Sequence, residues 1–388
     1  MKQELPITIL SSPSEIEKLR DIWACWQDHP NSDIDFFLTI ANARKDRVTP
    51  YVIVIGPQQS PNAIAVGRLE DSVFQVRIGY KSLYRIKLKT IVIIHGGLLG
   101  EFSPASSQTL LSALMKALRA HQAEAFQFSS INVDAEIAKL VRHEVNPLCR
   151  EHFVKSQFHW KMMMPNRVEE LLSGLSREHR NQLRRKAKKL EADVSAPREI
   201  RCFRKVAELE QMFKDVEQIA RKTYQRGLGV GFIDNVENRN RLMLEAEKGW
   251  LHMYVLYLTA KPCAYWWGVL YRDTFHSCAL GFDPECGRYS PGTYLLMKGL
   301  ESLCQEGVKE LDFGLGDARY KQQFGNKSCN EASISIFAPT LRAMSLNLIL
   351  TLTNGMALIA RRILGCFKAD EILKTNWRRR LRPVDHGD

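Results

Sequence analysis

The segment from Tyr289 to Gly325 constrains the fold more than any other part of the chain. Ser290–Thr293 has the chemistry of a helix start, because a serine hydroxyl can cap and a proline is tolerated in the first turn. Gly307 ends that helix, and Val308–Phe313 is a predicted strand that leads into a polar cluster. Since unpaired amides and the helix dipole both favour negative charge at a helix start, the segment predicts an anion site beside the strand end.

The composition is typical of a globular enzyme rather than of a disordered chain. The 388 residues are 45% hydrophobic and 25% charged, enough for two ordinary domains. The nine cysteines are scattered without a CxxC pair, which favours reduced thiols, and no metal-ligand cluster is visible. The first residues, MKQELPITILSSPSEIEKL, lack a signal-peptide pattern, so we expect a cytoplasmic protein without a bound metal.

The two halves of the chain follow the same order of predicted elements. Thr109 and Thr293 each begin a helical segment and lie 184 residues apart, and Phe128 and Phe313 lie in the following strands 185 residues apart. Two unrelated α/β units could share this order by chance, but a duplication explains the common register better. The first half lacks the acidic, glycine-rich and lysine positions of the second, so we expect it to be degenerate.

Two motifs carry a family resemblance, FDPECGRYSPGTYLL and LDFGLGDARYKQQFG. Together they resemble the CelD-like acyltransferases of polysaccharide biosynthesis, which belong to the GNAT superfamily and are similar to the Fem-type aminoacyl transferases. The resemblance is good over residues 170–340 and loose over residues 1–165. It implies an α/β (α+β) fold of tandem GNAT-like domains, each a mixed, mostly antiparallel sheet flanked by helices, plus a C-terminal helical segment.

The expected domain limits follow from the repeat and this resemblance. Residues 1–165 form the degenerate GNAT-like domain, residues 166–340 the acyltransferase domain, and residues 341–388 an amphipathic helical tail. In the second domain, three strand-like runs at Trp250–Leu258, Cys263–Tyr271 and Thr274–Phe282 precede the helix and strand of the opening segment. Antiparallel strands followed by a helix and a strand are the order expected of a GNAT core.

The chemical requirements of acyl transfer from a thioester indicate which residues are candidates for the site. The donor is expected to be acetyl-CoA or a longer acyl-CoA, whose phosphates must be held while the acceptor loses a proton and the oxyanion is stabilised. The donor site is predicted at Arg288, Ser290, Pro291, Gly292, Thr293 and Tyr294. The catalytic candidates are Lys321 for the oxyanion or a phosphate, Asp317 as the base and Tyr320 as a proton donor. The resemblance to Fem-type enzymes supports Lys321, because they carry a functional lysine in a similar tail. The alternative to a catalytic role is a purely structural connection between strand and helix, in which Asp317 caps a turn and Lys321 lies at the surface.

Further substrate-binding candidates flank this cluster. Asp312, Gly314 and Gly316 lie at the predicted strand end, where Asp312 could equally cap a loop. The densest charge of the chain lies upstream, in the helical run Ser176–Leu190 that contains Arg180 and Arg184. This run is either a solvated cationic face or a rim that attracts an anionic ligand. A net charge of +12 alone does not make a nucleic-acid binder, and no zinc-finger or RNP pattern accompanies it, so no specific nucleic-acid partner is expected.

The segment from Met344 to Ala360 is uncharged and rich in leucine, and Arg361 and Arg362 follow it. It is shorter than a transmembrane helix and is interrupted by polar residues, so a packed or interfacial helix is expected rather than a span. Its basic flanks suit an anionic leaflet, which predicts peripheral contact with the inner face of a membrane; docking on the protein's own body is the alternative.

Three functions remain open at this stage. The first is acyl-CoA-dependent N- or O-acyl transfer to a small molecule or glycan precursor, such as a sugar, an amino acid or an envelope polysaccharide precursor. The second is a Fem-type transferase that uses aminoacyl-tRNA, and the third is a non-catalytic scaffold in envelope polysaccharide assembly.

Overall fold

The computed structural model describes residues 5–78, 81–193, 197–227, 229, 231–316 and 318–366. The strands of this part are β1 (Ile7–Leu10), β2 (Val48–Pro50), β3 (Val52–Ile55), β4 (Ala63–Ile78), β5 (Lys81–Gly100), β6 (Ala125–Asn132), β7 (Gln157–Met163), β8 (Arg198–Phe203), β9 (Leu251–Leu258), β10 (Lys261–Tyr271), β11 (Thr274–Phe282), β12 (Glu310–Leu315) and β13 (Lys327–Phe337). The helices are α1 (Pro13–Glu17), α2 (Arg20–Trp26), α3 (Ile34–Ala43), α4 (Pro104–Arg119), α5 (Glu136–Glu144), α6 (Arg177–Asp193), α7 (Leu209–Ala220), α8 (Tyr224–Gly227), α9 (Val236–Glu247), α10 (Pro291–Gln305), α11 (Arg319–Phe324) and α12 (Leu341–Cys366).

The chain divides into two compact units. Among the described residues, the first comprises Leu5–Gln157 together with Asn330–Cys366, and the second comprises Phe158–Cys329. The predicted boundaries at residues 165 and 340 differ from this division. The chain after the second unit returns to the first, because most of β13 pairs with β6 and α12 packs on the first unit's core.

The first unit contains the strand order β1-β3-β4-β5-β6-β13, with β2 on β4. All its pairs are antiparallel except β5 with β6, which are joined through α4. The apolar runs Ala63–Leu69 and Ile91–Ile94 predict two short strands, and in the structure they are parts of a much longer hairpin of β4 and β5. This unit therefore has a mostly antiparallel sheet, with one parallel pair around a crossover helix.

The second unit contains the strand order β7-β12-β11-β10-β9-β8. Again one pair is parallel, β11 with β12, and α10 is the crossover helix between them. Successive side chains of a strand point to opposite faces, so Trp266 packs with α10 while Trp267 packs with α7. Both units repeat the same arrangement, and the predicted fold class of two mixed, mostly antiparallel sheets flanked by helices is confirmed.

Candidate functional site

The start of α10 is the centre of the candidate site. After β11 a short 3-10 turn leads to Ser290, whose φ of +53° is unusual for a residue with a side chain. The Ser290 carbonyl accepts the amides of Thr293 at 3.0 Å and Tyr294 at 3.2 Å. Among the described residues, the Ser290 hydroxyl makes no capping bond, so this detail of the predicted helix start is wrong. The left-handed turn, rather than a side-chain cap, sets the direction in which α10 begins.

A cavity of about 120 Å³ opens at this helix start. Three helices and one strand residue line it, namely the start of α10, one face of α6, one face of α11 and Leu280 of β11. The lining residues are His179, Gln182, Leu183, Lys186, Leu280, Gly292, Thr293, Leu296, Arg319, Tyr320, Gln323 and Phe324. The basic run of the sequence therefore does meet the predicted donor site, within the second unit.

The polar side of the cavity is cationic. Lys186 of α6 and Arg319 of α11 face it together with His179. Burial lowers the pKa of His179, and the positive charges of Lys186 and Arg319 lower it further. Lys186 and Arg319 thus bring two positive charges to the positive end of a helix dipole, with the neutral His179 imidazole beside them, and this arrangement favours an anion such as a phosphate.

The apolar side limits what the cavity can enclose. Leu183, Leu280, Leu296 and Phe324 form this side. Gly292 is buried at the mouth, where an added Cβ would lie 3.3 Å from the Phe282 ring. Ligand pockets for drug-sized molecules measure roughly 300–1,000 Å³. The enclosed volume therefore suits one small anionic group rather than a complete nucleotide cofactor.

Tyr320 lines the same cavity. Its ring contacts Phe313 edge-on, with the ring centroids 5.9 Å apart. Burial raises the pKa of Tyr320 to about 12. The phenol is consequently protonated near neutral pH, where it can donate a proton but is a poor general base.

Lys321 points elsewhere. Its ammonium donates a hydrogen bond of 2.8 Å to the Leu315 carbonyl, at the end of β12, and it is not among the cavity-lining residues. Burial lowers the pKa of Lys321, and the negative charge of Asp312 partly opposes this effect. The structure thus holds a desolvated cation at the strand end, while Arg319 supplies the cation that reaches the cavity.

A second cluster surrounds Asp312, where β11 and β12 part. In the described residues, β11 and β12 pair with each other only where Thr274–His276 lies beside Glu310–Asp312. Beyond these residues, β11 continues to pair with β10, and β12 continues to pair with β7. The Asp312 side chain is buried at this point. Its Oδ1 accepts a hydrogen bond of 2.6 Å from His159 Nε2 and one of 2.7 Å from the Gly314 amide. Its Oδ2 lies 3.7 Å from His276 Nδ1.

These contacts determine the charge of Asp312. Burial alone would raise the pKa of this carboxyl group, but the hydrogen bond and charge of His159, the charge of His276 and the Gly314 amide hold it far below its usual range. Gly314 adopts a φ of +69° and Gly316 a φ of +108°, so both need glycine to turn the strand end. Asp312 is therefore a fixed carboxylate that holds two histidines at the parting of the strands.

The other predicted residues lie outside the cavity. Arg288 is exposed and covers the Tyr289 ring at 4.5 Å, and Arg180 donates to the Leu175 carbonyl. Arg184 is exposed on α6. Pro291 is buried at the first position of α10, and Tyr294 packs on the core beneath it. Asp317 lies outside the described residues.

Sequence reasoning missed several cavity residues for identifiable reasons. Lys186 lies in the basic run Ser176–Leu190 and Arg319 in the motif LDFGLGDARYKQQFG, but neither was predicted as a binding residue. The position of a basic residue around its helix, and not the number of charges nearby, determines whether its side chain faces the cavity. His159 and His276 are 117 residues apart in sequence. Only the pairing of β7 and β11 with β12 brings them to Asp312, so no local spacing reveals them.

Comparison with family models supports this reading of the second unit. Residues 177–322 match the acetyltransferase (GNAT) domain model. The match begins in α6 and ends in α11, so it includes α6, α10 and the first four residues of α11, three helices that contribute to the cavity lining. The chain therefore carries a GNAT-type acyltransferase domain. The search of curated proteins finds no match.

Solved structures share the fold at low sequence identity. FemX aligns with a TM-score of 0.54 at 12% identity, covering 86% of this chain and 97% of FemX. The C-terminal domain of a protein assigned as lysylphosphatidylglycerol synthetase from Agrobacterium fabrum aligns with a TM-score of 0.51 at 12% identity, covering 87% of this chain and 95% of that one. The L-PGS from Bacillus licheniformis aligns with a TM-score of 0.50 at 10% identity, covering 89% and 98%. These likenesses span both units and show the fold.

Proposed function

We propose that this chain transfers an acyl group from an acyl-CoA, acetyl-CoA or longer, to an amine or hydroxyl group. The observation that carries the proposal is the cavity at the start of α10, where Lys186, Arg319 and His179 converge beside Gly292 and Thr293. A donor of this kind presents phosphates, and a helix start with cationic neighbours binds phosphates well. The GNAT domain match over the same helices supports the assignment.

Each residue of the candidate site has a separate proposed role in such a transfer. The CoA thioester supplies an activated carbonyl and a thiolate leaving group. Lys186 and Arg319 hold phosphate oxygens, and Tyr320 donates its phenolic proton toward the departing thiolate. Asp317 is the proposed base for the acceptor, and Lys321 the proposed cation at the oxyanion. Asp312, Gly314 and Gly316 shape the strand end where the acceptor is proposed to lie.

The proposed acceptor is a sugar, an amino acid or an envelope polysaccharide precursor. This part of the proposal rests on the resemblance of the YSPG and DFGLGD motifs to CelD-like acyltransferases. The end of β12 beyond Asp312, where this strand no longer pairs with β11, is compatible with such an acceptor. The proposal places no resident metal in the site.

Ligand-induced thermal shifts test the donor. Acetyl-CoA, longer acyl-CoAs and free CoA are each expected to raise the melting temperature, because they bind the folded state only. Pantetheine, which lacks the phosphates, is the matched ligand control and should give a much smaller shift. Lys186→Met should remove most of the CoA shift, whereas Lys188→Met on the exposed side of α6 should retain it. If no member of the series shifts the melting temperature, the acyl-CoA proposal fails.

An aminoacyl-tRNA donor is the second candidate, because α6 exposes Arg184, Arg185, Lys188 and Lys189 to solvent. FemX-like topology is compatible with it. Binding of tRNA that weakens steeply with salt, together with no response to CoA, would favour this donor. If neither donor binds, the non-catalytic scaffold becomes the better proposal.

A further inference from the structure

The helix α12 has two faces of different character. Ala343, Leu346 and Asn347 are buried against the first unit, and Leu350 packs partly against the same core. Asn347 Nδ2 also donates to the Leu148 and Arg150 carbonyls at 2.9 Å each. Because these positions recur at three- and four-residue intervals, one face of α12 is fixed to the protein body.

The opposite face is apolar and open to solvent. Leu348, Leu352, Met356 and Ile359 are each 58–61% exposed and follow the helical repeat on the side away from the core. Ile349 borders this exposed surface, and Leu341 lies on the same side of the helix beyond the exposed Ser345. From Leu348 to Ile359 the helix advances about 17 Å at its usual rise per residue. A continuous apolar strip of this length differs from the scattered exposed leucines of an ordinary surface.

Leu148 is a further exposed apolar residue close to α12. It lies in the short turn Pro147–Cys149 that contacts α12, and its side chain is 62% exposed. Phe153 packs on the helix farther along, where an added Cβ at Gly355 would lie 3.2 Å from its ring. The exposed strip is therefore held on a rigid support rather than on a free helix.

Charge indicates which partner suits the strip. No charged residue occurs between Arg342 and Arg361, and the sequence from Arg361 to Asp388 contains eight Lys and Arg residues against four Asp and Glu residues. Within the described residues no helix has the length and apolar content that crossing a bilayer requires. An uncharged apolar face beside a basic segment is the pattern of a helix that lies in the interface of an anionic membrane. A second copy of the chain carries the same excess of positive charge in this segment, so it lacks the complementary charge that anionic lipids provide.

We propose that the exposed face of α12, with Leu148 beside it, docks the protein on the surface of a bilayer that contains anionic lipids. The apolar side chains enter the boundary between headgroups and acyl chains, and the basic residues after Arg361 attract the lipid phosphates. The inference concerns the first unit and is independent of the donor site, so vesicle binding and CoA binding fail or succeed separately.

Vesicle co-sedimentation of the full chain tests this proposal. The wild-type protein is expected to sediment with vesicles of phosphatidylcholine and phosphatidylglycerol, and less with phosphatidylcholine alone. The double substitution Leu352→Glu and Met356→Glu should weaken binding by at least about tenfold, since each places a charge at the apolar boundary. Val236→Glu is the matched control, because Val236 is an apolar residue with 72% exposure on α9 of the second unit. Leu148→Glu provides a second variant outside α12 and should weaken binding in the same direction.

Each other outcome overturns the proposal. Absence of sedimentation with either vesicle would do so directly. Equal binding of the wild type and the double variant would show attraction by the basic segment alone. A wild-type dimer in solution that the double variant converts to a monomer, without vesicle binding, would assign the strip to a second copy of the chain.

Discussion

At the scale of single residues, the candidate site shows how neighbouring basic residues acquire different roles. Lys186 and Lys188 lie two positions apart on α6, yet only Lys186 lines the cavity. Arg319 and Lys321 lie two positions apart on α11, and again only the first lines it. Positions two apart on a helix face different directions, so a charge-rich run cannot identify its functional members without the fold.

Arg319→Met is expected to raise the KM for the acyl donor about tenfold with little change in kcat, because the lost contact serves phosphate binding. Lys186→Met should act in the same way. Steady-state kinetics with acetyl-CoA measures both, and Lys188→Met is the control for a general loss of positive charge. A fall in kcat at unchanged KM would contradict a phosphate-holding role.

Lys321→Met is expected to lower kcat about 100-fold while the free energy of unfolding falls by about 1 kcal/mol. The first effect corresponds to removing a charge that stabilises the oxyanion, and the second to losing one hydrogen bond to the Leu315 carbonyl. Activity per folded molecule and urea unfolding give the two quantities. Retained activity together with a large loss of stability would exclude a catalytic role for Lys321 and show that its side chain only stabilises the end of β12.

Asp312→Asn is expected to destabilise the protein by about 3–5 kcal/mol near neutral pH, because the substitution breaks a buried pair with His159. The folded-state pKa of Asp312 lies below its unfolded value, so its contribution is fully present above about pH 4 and is lost as the pH falls through the folded value. The difference in unfolding free energy between wild type and variant should therefore narrow below about pH 4. A gap that widens in acid would contradict this assignment of charge.

At the scale of elements, close packing of α10 on the sheet fixes where the donor site lies. Gly299 of α10 contacts the Trp266 ring of β10, and an added Cβ there would lie 2.5 Å from that ring. The glycine is therefore required by the approach of the helix and not by an unusual backbone. The position of the helix start depends on this contact.

Gly299→Ala is expected to lower the free energy of unfolding by about 1–3 kcal/mol, because the forced displacement outweighs the better helix propensity of alanine. Displacement of α10 should also weaken the CoA-induced thermal shift. Gly174→Ala is the matched control, since among the described residues nothing lies within 4 Å of a Cβ there. Equal stability of the two variants would show that α10 can move without cost.

The sequence predicted some elements closely and others poorly, for physical reasons. The strands β9, β10 and β11 were predicted within two residues, because their runs are apolar and end in clear turns. The extent of β4 and β5 was underestimated, since polar residues such as Glu70 and Lys87 interrupt the apolar signal in a long hairpin held by cross-strand pairing. The Asp312 cluster depends on strand pairing and was not predicted as a cluster.

At the scale of the whole molecule, the chain order and the compact units differ. β7 belongs to the second unit although it follows directly on the first, and most of β13 returns to the first unit. Repeat spacing identified the duplicated helix and strand but carried no information on this exchange. The segment from residue 341 was predicted as a separate tail for the same reason, whereas α12 contributes Ala343 and Leu346 to the core of the first unit.

Shortening the chain to end at Pro339 is therefore expected to lower the free energy of unfolding by at least about 3 kcal/mol. The truncation removes the buried Leu346 side chain and the two hydrogen bonds that Asn347 donates. A chain that ends at Cys366 is the matched control, because it retains α12 and loses only the residues after it; its stability should equal that of the full chain. Urea unfolding, with limited proteolysis of the first unit as a second readout, separates these outcomes. If the chain ending at Pro339 unfolds at the same urea concentration as the control, α12 adds nothing to the core, and its exposed face cannot be regarded as rigidly supported.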